Sequence, residues 1–390
     1  TAHFGVSGDC GIAKATRNAT SHEFEFALDH KAAYLVFKPY TNNDILKHCY
    51  LTKIEVTSDN DIASTYTLDP TAATGTGALT GTGSGKKIEL ITKGNSGSTY
   101  PNGFPLTNTS ANLSTNGAYM VIKPGTHTLR IRYWVKDVAT HVEGTITKII
   151  PSHTFAKNEY VNMEADLQIK NYDGDKYYMW DAQQNYWAGH EWNTANPWQP
   201  TLVTQPANPN YPKSNADPRY HSEAFTYGAD NKATHSPCKD LPNVNEMTWY
   251  AAKGEPRWDA DELWTTMGHL YKGGMWFKKK ANISGFNPNT AVDGTDWRAN
   301  NKAKTWSVSQ TLPSAADANN YFYLPALGRY EDGYLRFISN VPYFASTGFY
   351  WSSSAHPWFS YHGFELEFTS GVVAVGYGNR YIGMRVGAFE

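Results

Sequence analysis

The sequence lacks a charge excess, long hydrophobic runs and a cysteine framework. Its 390 residues include 34 Lys and Arg against 36 Asp and Glu, so no basic field exists that would attract nucleic acid. No apolar run approaches the roughly 20 residues that cross a bilayer, which predicts a chain without a transmembrane segment. Its cysteines, Cys10, Cys49 and Cys238, lie in no CxxC or metal-ligand spacing. A Cys10–Cys49 disulfide and three free thiols are both left open.

Motifs of common enzyme classes are also missing. The sequence contains no GxSxG, no HExxH and no Walker loop. The segment 171–175 resembles a short calcium loop but lacks the glutamate of an EF-hand, which favours a simple Asp-Gly turn. We therefore expect a protein that is not an enzyme and that uses no cofactor and no metal. An extracellular carbohydrate-active enzyme is the alternative.

What the sequence does contain is a strand pattern followed by an aromatic-rich region. Up to about Lys170, apolar and polar residues alternate in runs bounded by Gly, Pro, Asn and Asp, which predicts antiparallel strands with one face on a core. These runs are centred on 24–28, 50–56, 119–122, 129–135 and 161–169. Several such strands predict an N-terminal antiparallel β-sandwich. The Gly/Thr-rich segment 74–85 predicts a surface loop.

Composition changes near Asn171, which predicts a boundary between domains 1–170 and 171–390. The Pro- and Asn-rich stretch 198–218 predicts a long ordered loop. Asn243, with Glu246 three residues later, predicts a capped helix over 244–253. A second helix is expected over 259–270, capped by Asp259. Terminal strand patterns over 364–368 and 373–375, joined by a turn at 369–371, make this half α+β.

The aromatic residues of the second half are its most informative feature. Exposed rings beside polar groups are suited to holding a sugar, whose C–H face stacks on the ring while its hydroxyl groups form hydrogen bonds. Most of these rings are expected inside the core, and Trp358, which follows Pro357, is the one first expected outside. The candidate ligand-binding residues are Trp358, Tyr361, His362, Trp192 and Asn379.

Two segments resemble known families. The run Glu25 to Phe37, preceded by Phe4 to Asp9, resembles the amino-terminal domain of the fimbrillin-like proteins, which are subunits of type V pili. The second half resembles a C-type-lectin-like domain in its motifs Tyr178–Asp181, Asn185–Trp187, Leu241–Glu246, Gly328–Gly333, Tyr350–Ser353 and the closing Gly371 to Arg385. The expected fold is therefore a fimbrillin/transthyretin-like β-sandwich followed by a lectin-like α+β domain.

The resemblance implies a cell-surface protein acting in adhesion, as a pilus tip or minor subunit. Members of the family are exported as lipoproteins to the outer membrane, which implies an anchor upstream of this sequence. They assemble with other pilus subunits by strand donation to an unpaired sheet edge. The second domain would then bind a glycan or a protein on a host or bacterial surface. A stand-alone carbohydrate-binding lipoprotein is the other alternative.

The sequence departs from these families at several points. A lipobox and the protease-sensitive arginine loop of polymerising members are not recognisable, so polymerising, capping a pilus and acting alone all stay open. The second half has neither a Glu-Pro-Asn nor a Gln-Pro-Asp triplet, which argues against a calcium-bridged sugar site.

Overall fold

The chain forms a mainly β protein. The computed structural model describes residues 11–63, 67–69, 78–80, 85–223, 231–338, 346–387 and 389. Two compact units contain Thr1–Ile169 with Ser314–Ala318, and Lys170–Pro313 with Asn319–Glu390. In the described ranges no helix has the length and apolar character needed to span a membrane.

Strands make up nearly all of the regular secondary structure described in the first unit. A short helix α1 (Leu113–Asn116) and a 3-10 turn (Leu46–His48) interrupt them. The strands are β1 (Gly11–Ile12), β2 (Thr16–Arg17), β3 (Phe24–Glu25), β4 (Asp29–His30), β5 (Ala33–Tyr40), β6 (Tyr50–Ser58), β7 (Thr67–Asp69), β8 (Ala78–Thr80), β9 (Lys87–Ile91), β10 (Phe104–Pro105), β11 (Ala118–Ile122), β12 (Gly125–Lys136), β13 (Glu143–Phe155) and β14 (Tyr160–Asp166).

Two sheets of this unit bury their apolar faces against each other. In one sheet, β5 lies between β11, which is antiparallel to it, and β14, which is parallel. In the other, β6 pairs with β9, β10 and β12, and β12 pairs with β13. The ring of Phe37 on β5 meets that of Tyr133 on β12 edge to face at 6.2 Å, and both residues are buried. The strands predicted over 50–56, 119–122, 129–135 and 161–169 are therefore confirmed, with β14 ending at Asp166.

The prediction for 24–28 is wrong in its burial. Only Phe24 and Glu25 form a strand, and Phe24, Phe26 and Leu28 are 64%, 66% and 51% exposed. Alternating apolar and polar residues indicate that a strand has one apolar face, but they do not show that another element packs on that face. The predicted loop over 74–85 lies mostly outside the described residues, although β8 within it pairs with β7.

The second unit combines a helix with two further sheets. Its helix is α2 (Val244–Lys253), and 3-10 turns lie at Gly174–Lys176, Cys238–Asp240, Lys280–Asn282 and Trp297–Ala299. A further turn, Ala318–Asn320, begins in the first unit. The strands are β15 (Tyr177–Tyr178), β16 (Arg257–Thr266), β17 (His269–Lys278), β18 (Lys304–Ser307), β19 (Tyr321–Pro325), β20 (Arg329–Glu331), β21 (Tyr334–Arg336), β22 (Gly348–Ala355), β23 (His362–Phe368), β24 (Val372–Asn379) and β25 (Met384–Arg385).

The main sheet of this unit has the strand order β15-β25-β22-β23-β24-β18. A second sheet orders β16, β17 and β19 antiparallel, and β20 pairs with β21. Helix α2 buries Val244, Met247 and Tyr250 in one core with Phe364 and Leu366 of β23. The predicted hairpin at the end of the chain is confirmed as β23–β24, and it supports the site described below.

Helix α2 confirms the sequence prediction at both capping residues. The Asn243 side chain accepts a hydrogen bond from the Glu246 backbone N–H, and the Glu246 carboxylate accepts one from the Asn243 N–H. These reciprocal bonds satisfy two donors that a helix start leaves unpaired. The helix ends at Lys253, before Gly254.

The helix predicted over 259–270 is wrong, because this segment forms the hairpin β16–β17. Asp259 does accept hydrogen bonds from the N–H groups of Asp261 and Glu262, at 3.1 and 3.2 Å, as a helix cap would. Here those bonds stabilise an irregularity of β16 rather than a first turn. Met267 and Gly268 both have positive φ, which fits a two-residue hairpin turn.

The remaining sequence predictions concern loops and thiols. The Pro-rich stretch 198–218 contains neither helix nor strand, as expected. Cys49 and Cys238 are buried free thiols, and burial raises the pKa of Cys49 to about 12. Cys10 lies outside the described residues.

Candidate functional site

The loop between β22 and β23 carries two aromatic side chains into solvent. Trp358 and Tyr361 are each 55% exposed, whereas Trp351 and Tyr350, on the preceding strand, are buried in the core. Exposing large rings costs hydrophobic free energy, so a fixed loop that does so points to binding. We call Trp358, Tyr361, His362, Asn379 and Tyr381 the aromatic patch.

A fully buried histidine holds this loop in place. Nδ1 of His356 accepts hydrogen bonds from the backbone N–H groups of Trp358, at 3.1 Å, and Phe359, at 3.0 Å. Its Nε2 lies 3.0 Å from the Asn301 side-chain oxygen, which fixes the Nε2–H tautomer. The Phe359 ring stacks on the imidazole with centroids 4.8 Å apart. The Trp358 side chain therefore projects from a loop whose backbone is held in place.

The neighbouring strand completes the patch on its other side. His362 at the start of β23 pairs in register with Asn379 at the end of β24. The rings of Tyr361 and His362 lie 4.4 Å apart, and the Asn379 amide donates to the Tyr381 hydroxyl at 3.2 Å. Aromatic rings and amide groups thus meet at one end of the β23–β24 hairpin.

A buried arginine, Arg380, stabilises the same end of the hairpin through hydrogen bonds to backbone carbonyls. The Nε of Arg380 donates to the His362 carbonyl at 3.1 Å, and its Nη1 donates to the Ser222 carbonyl at 3.1 Å. Its guanidinium group stacks 4.2 Å from the Trp180 ring centroid. Burial lowers the pKa of Arg380 to about 10, and the nearby Asp181 carboxylate opposes that shift. Arg380 is therefore a positioning residue rather than an exposed ligand.

The patch is electrically neutral near pH 7. Burial lowers the pKa of His356 to about 4, and repulsion from His362 and Arg380 adds to the shift. Burial also lowers the pKa of His362, against a hydrogen bond with Asn379 that raises it. A neutral His356 is required here, because a protonated ring could not accept the two loop N–H groups.

A cavity adjoins the patch at Tyr381, and we call it the tyrosine cavity. It measures about 220 Å³ and is lined by Met179, Tyr186, Tyr211, Pro212, Lys213, Tyr220, Asp332 and Tyr381. The loop that carries Tyr211 and Tyr220 is braced by Arg219, which donates to Asp217 at 2.7 Å and to the Asn210 carbonyl at 3.2 Å. Tyrosine faces beside one lysine and one carboxylate offer stacking surfaces together with hydrogen-bonding groups.

The sequence-predicted site residues separate into two places. Trp358, Tyr361, His362 and Asn379 lie together in the patch. Trp192 does not join them, because its indole packs over Gly174 and Gly268, where an added Cβ would lie 3.0 and 3.1 Å from the ring. The neighbours of Trp192 are the β16–β17 turn and the core, so it lies apart from the patch, and its role in ligand binding stays a prediction.

Sequence reasoning missed the residues that organise the site. His356 belongs to no motif and Arg380 only to the closing lectin-like segment, and their roles depend on loop N–H groups and carbonyls that only the fold brings near. Tyr211, Tyr220 and Tyr381 were also missed as site residues. The signal for Tyr211 and Tyr220 was that tyrosines occur in and beside the Pro-rich stretch 198–218, a pattern typical of an ordered surface.

A buried glutamate, Glu365, and a half-buried one, Glu367, lie elsewhere on the hairpin. Glu365 is 7% exposed, and its register partners are Trp351 and Gly376. Burial raises the pKa of Glu365 to about 8, with repulsion from Glu367 adding to it. Neither glutamate lines the tyrosine cavity. Within the described ranges, no three His, Cys, Asp or Glu side chains are grouped to hold a metal ion.

Comparison with known proteins gives only remote likenesses. No protein-family model matches the chain, and no curated protein matches its sequence. A solved structure of a candidate cell adhesion protein from Bacteroides fragilis matches 41% of this chain and 54% of its own, at 10% identity and a TM-score of 0.25. A second, from Bacteroides ovatus and described in the same way, matches 42% of this chain and 58% of its own, at 15% identity and a TM-score of 0.21.

The chain thus spans little more than half the length of the solved structures it matches. At such identities and TM-scores the likeness carries no argument about fold or function. Membership of the fimbrillin-like family, and the lectin-like character of the second unit, therefore stay predictions.

Proposed function

We propose that this chain is a cell-surface adhesion protein whose second unit binds a neutral glycan at the aromatic patch. The observation that carries the proposal is the pair of exposed rings, Trp358 and Tyr361, on a loop fixed by the buried His356. Sugar rings stack their C–H faces on such side chains, and a preorganised platform avoids the entropy cost of ordering it on binding.

The tyrosine cavity extends this site beyond one sugar unit. Tyr381 belongs both to the patch and to the cavity wall, so a ligand lying on Trp358 and Tyr361 can continue toward Tyr211. Asn379 and Asp332 supply an amide and a carboxylate for sugar hydroxyl groups. The site therefore suits an oligosaccharide better than a single sugar.

We favour binding over catalysis, which keeps the chain outside the enzyme classes. A glycosidase requires two carboxyl groups that face each other across the scissile bond. Glu365 and Glu367 are the carboxyl pair whose pKa values are raised by burial. They line neither the patch nor the tyrosine cavity, so they do not meet a substrate bound there.

For the first unit we propose assembly with other pilus subunits by strand donation, at the outer membrane or in a fimbrium. Phe24, Phe26 and Leu28 expose apolar side chains at alternate positions, which is the pattern of a strand that could pair with a sheet edge of another subunit. In the three-stranded sheet, β11 and β14 are the outer strands among those described. Such edges accept an added strand through main-chain hydrogen bonds.

A peptide experiment tests the assembly proposal. A synthetic peptide of residues 22–31 should bind the full chain, and a peptide with Ser at positions 24, 26 and 28 should not, as measured by fluorescence anisotropy. Equal binding of both peptides, or binding of neither, would contradict strand donation by this segment.

An oligosaccharide panel tests the adhesion proposal. The wild-type chain should bind at least one immobilised neutral oligosaccharide, and Trp358→Ala should weaken that binding about 10-fold or more, because an aromatic anchor is lost. Tyr160→Ala is the matched control, since Tyr160 is 61% exposed but belongs to the first unit. If Trp358→Ala binds like the control, or if the wild type binds no neutral glycan, the proposal is wrong.

A further inference from the structure

A second cavity of the same unit has a different chemistry. It measures about 220 Å³, and we call it the basic cavity. It is lined by Lys170, Asn171, Tyr172, Asp173, Lys176, Tyr323, Leu324, Tyr350, Arg385, Val386, Gly387 and Phe389. Three of these side chains are cationic and one is a carboxylate. The patch and the tyrosine cavity share none of these residues.

Arg385 is the informative residue of this cavity. It is 9% exposed, and its Nη1 donates to the Asp173 carbonyl oxygen at 2.6 Å. Among the described residues no carboxylate forms an ion pair with it. Burying a guanidinium group without an anion is energetically unfavourable, so buried arginines are normally paired. The lack of a carboxylate partner among the described residues is the first sign of a ligand.

The other cations lie beside Arg385 around one tyrosine ring. The Lys170 Nζ lies 4.8 Å from the ring centroid of Tyr172, and the Arg385 guanidinium carbon lies 5.8 Å from it. Lys170, like Arg385, forms no ion pair with a described carboxylate. Lys176 has a neighbour in Asp175, at 3.6 Å. The cavity therefore presents two cations that no described carboxylate neutralises.

The rest of the wall is aromatic. Tyr350 and Phe389 pack against each other with ring centroids 5.8 Å apart, and the Tyr350 hydroxyl is already bonded to the Pro325 carbonyl at 2.6 Å. Tyr350 therefore presents its ring and not its hydroxyl group. The volume lies below the roughly 300–1,000 Å³ of sites that enclose a drug-sized ligand, so it suits one sugar ring.

We propose that the basic cavity binds a carboxylate-bearing sugar, of the uronic acid class, with its carboxylate on Arg385 and Lys170 and its ring against Tyr350 and Phe389. The inference deepens the proposed function, because it assigns an acidic sugar to the same glycan-binding unit. A guanidinium group matches a carboxylate through two parallel hydrogen bonds, which a hydroxyl group cannot replace.

Titration calorimetry with three probes tests this assignment on the full chain. Glucuronate should bind about 10-fold or more tightly than glucose, since only glucuronate carries the charge. Inorganic phosphate should bind more weakly than glucuronate, because it has no ring to meet the aromatic wall. Equal affinity for glucuronate and glucose, or no binding of glucuronate, would overturn the proposal. Phosphate binding as tight as glucuronate would overturn its sugar part.

Variants separate the contact residues from general effects of charge. Lys170→Gln, at an exposed position, and Arg385→Lys, which keeps the charge but loses the fork, should each weaken glucuronate binding about 3- to 10-fold. Lys304→Gln is the control, because Lys304 also lies over an aromatic ring, 5.6 Å from the Trp306 centroid, outside both cavities. Equal loss in Lys170→Gln and Lys304→Gln would contradict the site.

Glucuronate binding at the basic cavity should not depend on the aromatic patch. Trp358→Ala should bind glucuronate like the wild type even if it loses neutral glycans. Glucuronate binding without any neutral-glycan binding would therefore refute the patch and support the basic cavity, and the reverse result would refute the cavity alone.

Discussion

The aromatic patch and the basic cavity use the same residue types for opposite purposes. In the patch, tyrosine and tryptophan are exposed and the buried histidine beneath them stays neutral. In the cavity, tyrosine rings form the wall and two cations without described carboxylate partners mark the centre. An aromatic-rich sequence therefore does not define one kind of binding site, because the groups beside the rings differ between the two places.

The fold produces this difference from neighbouring strands. The patch lies where β22 and β24 end and β23 begins, so loop residues can project into solvent from a rigid hairpin. The cavity takes Arg385 from β25, which pairs with β15 and β22 in the same sheet. A strand residue has its backbone fixed by hydrogen bonds on its ladder, and its side chain is therefore positioned more firmly than one on a free loop.

Removing His356, which lies beneath the patch, should cause the largest difference between neutral-glycan affinity and glucuronate affinity. His356→Ala deletes the acceptor of two loop N–H groups, so the Trp358 platform should lose its fixed geometry and neutral-glycan affinity should fall about 30-fold or more. Hydrogen exchange should accelerate at the amides of Trp358 and Phe359. Glucuronate affinity should stay unchanged.

His269→Ala is the control for that variant. His269 is partly buried in the same unit, where its Nε2 lies 3.1 Å from the Thr201 hydroxyl, but it touches neither the patch nor the basic cavity. If His356→Ala leaves the exchange of the loop amides as in the control, His356 does not hold the platform.

Lowering the pH should have the next largest effect, and it should again change neutral-glycan affinity at the patch. The pKa of His356 is about 4 in the folded chain, below its usual 6.5, because the charged form is disfavoured there. The stability it contributes is complete above about pH 6.5 and is lost as the pH falls toward 4. Neutral-glycan affinity should therefore stay level from pH 7 to about 5 and drop near pH 4. A drop already complete at pH 6 would contradict a neutral, buried His356.

Salt should separate the two sites by a smaller factor. Raising NaCl from about 0.05 to 0.5 M shortens the Debye length to a few ångströms and should weaken glucuronate binding about 3- to 5-fold. Neutral-glycan binding should change less than about 2-fold, since no net charge meets it. Calorimetry at the two salt concentrations measures both. Equal salt dependence at the two sites would remove the electrostatic distinction between them.

The smallest effect on binding is expected from Glu365→Gln, which acts on stability instead. Burial raises the pKa of Glu365 to about 8, so the carboxyl group is protonated when folded and ionises on unfolding. The free energy of unfolding should therefore fall as the pH rises from about 4.5 to 8. Glu365→Gln should remove that slope and stabilise the chain at pH 8 by about 1–3 kcal/mol.

Denaturant unfolding at pH 5 and pH 8 checks this prediction, with Glu164→Gln as an exposed control. Both ligand affinities should stay within about 2-fold of the wild type. An unchanged pH slope in Glu365→Gln would show that this carboxyl group is not the source of the effect.

Local signals in the sequence predicted part of the fold well. Helix α2 was predictable because Asn243 and Glu246 satisfy each other's backbone over three residues. The segment 259–270 was not, because Asp259 makes the same cap-like bonds inside a strand. The pairing of β16 with β17, which decides the outcome, depends on a turn at Met267 and Gly268 whose conformation was not recognised.

The candidate site was predictable only where exposure follows from local context. Trp358, beside Pro357 in a polar loop, was expected outside the core and is exposed. Trp192 lies in an equally polar stretch, yet its indole packs over two glycines distant in sequence. The basic cavity was not foreseen, because Lys170 and Arg385 are separated by most of the second unit. The Lys170 carbonyl accepts a hydrogen bond from the Thr265 N–H of β16, whereas Arg385 is held by the pairing of β25 with β15 and β22.

The most direct test of the account is ¹⁹F NMR of the full chain labelled with 5-fluorotryptophan, with the Trp358 resonance assigned from Trp358→Phe. Addition of a bound neutral oligosaccharide should shift the Trp358 resonance, and addition of glucuronate should leave it in place. A Trp358 resonance that responds to both ligands, or to neither while both bind, would contradict the claim that this unit carries two chemically distinct sugar sites.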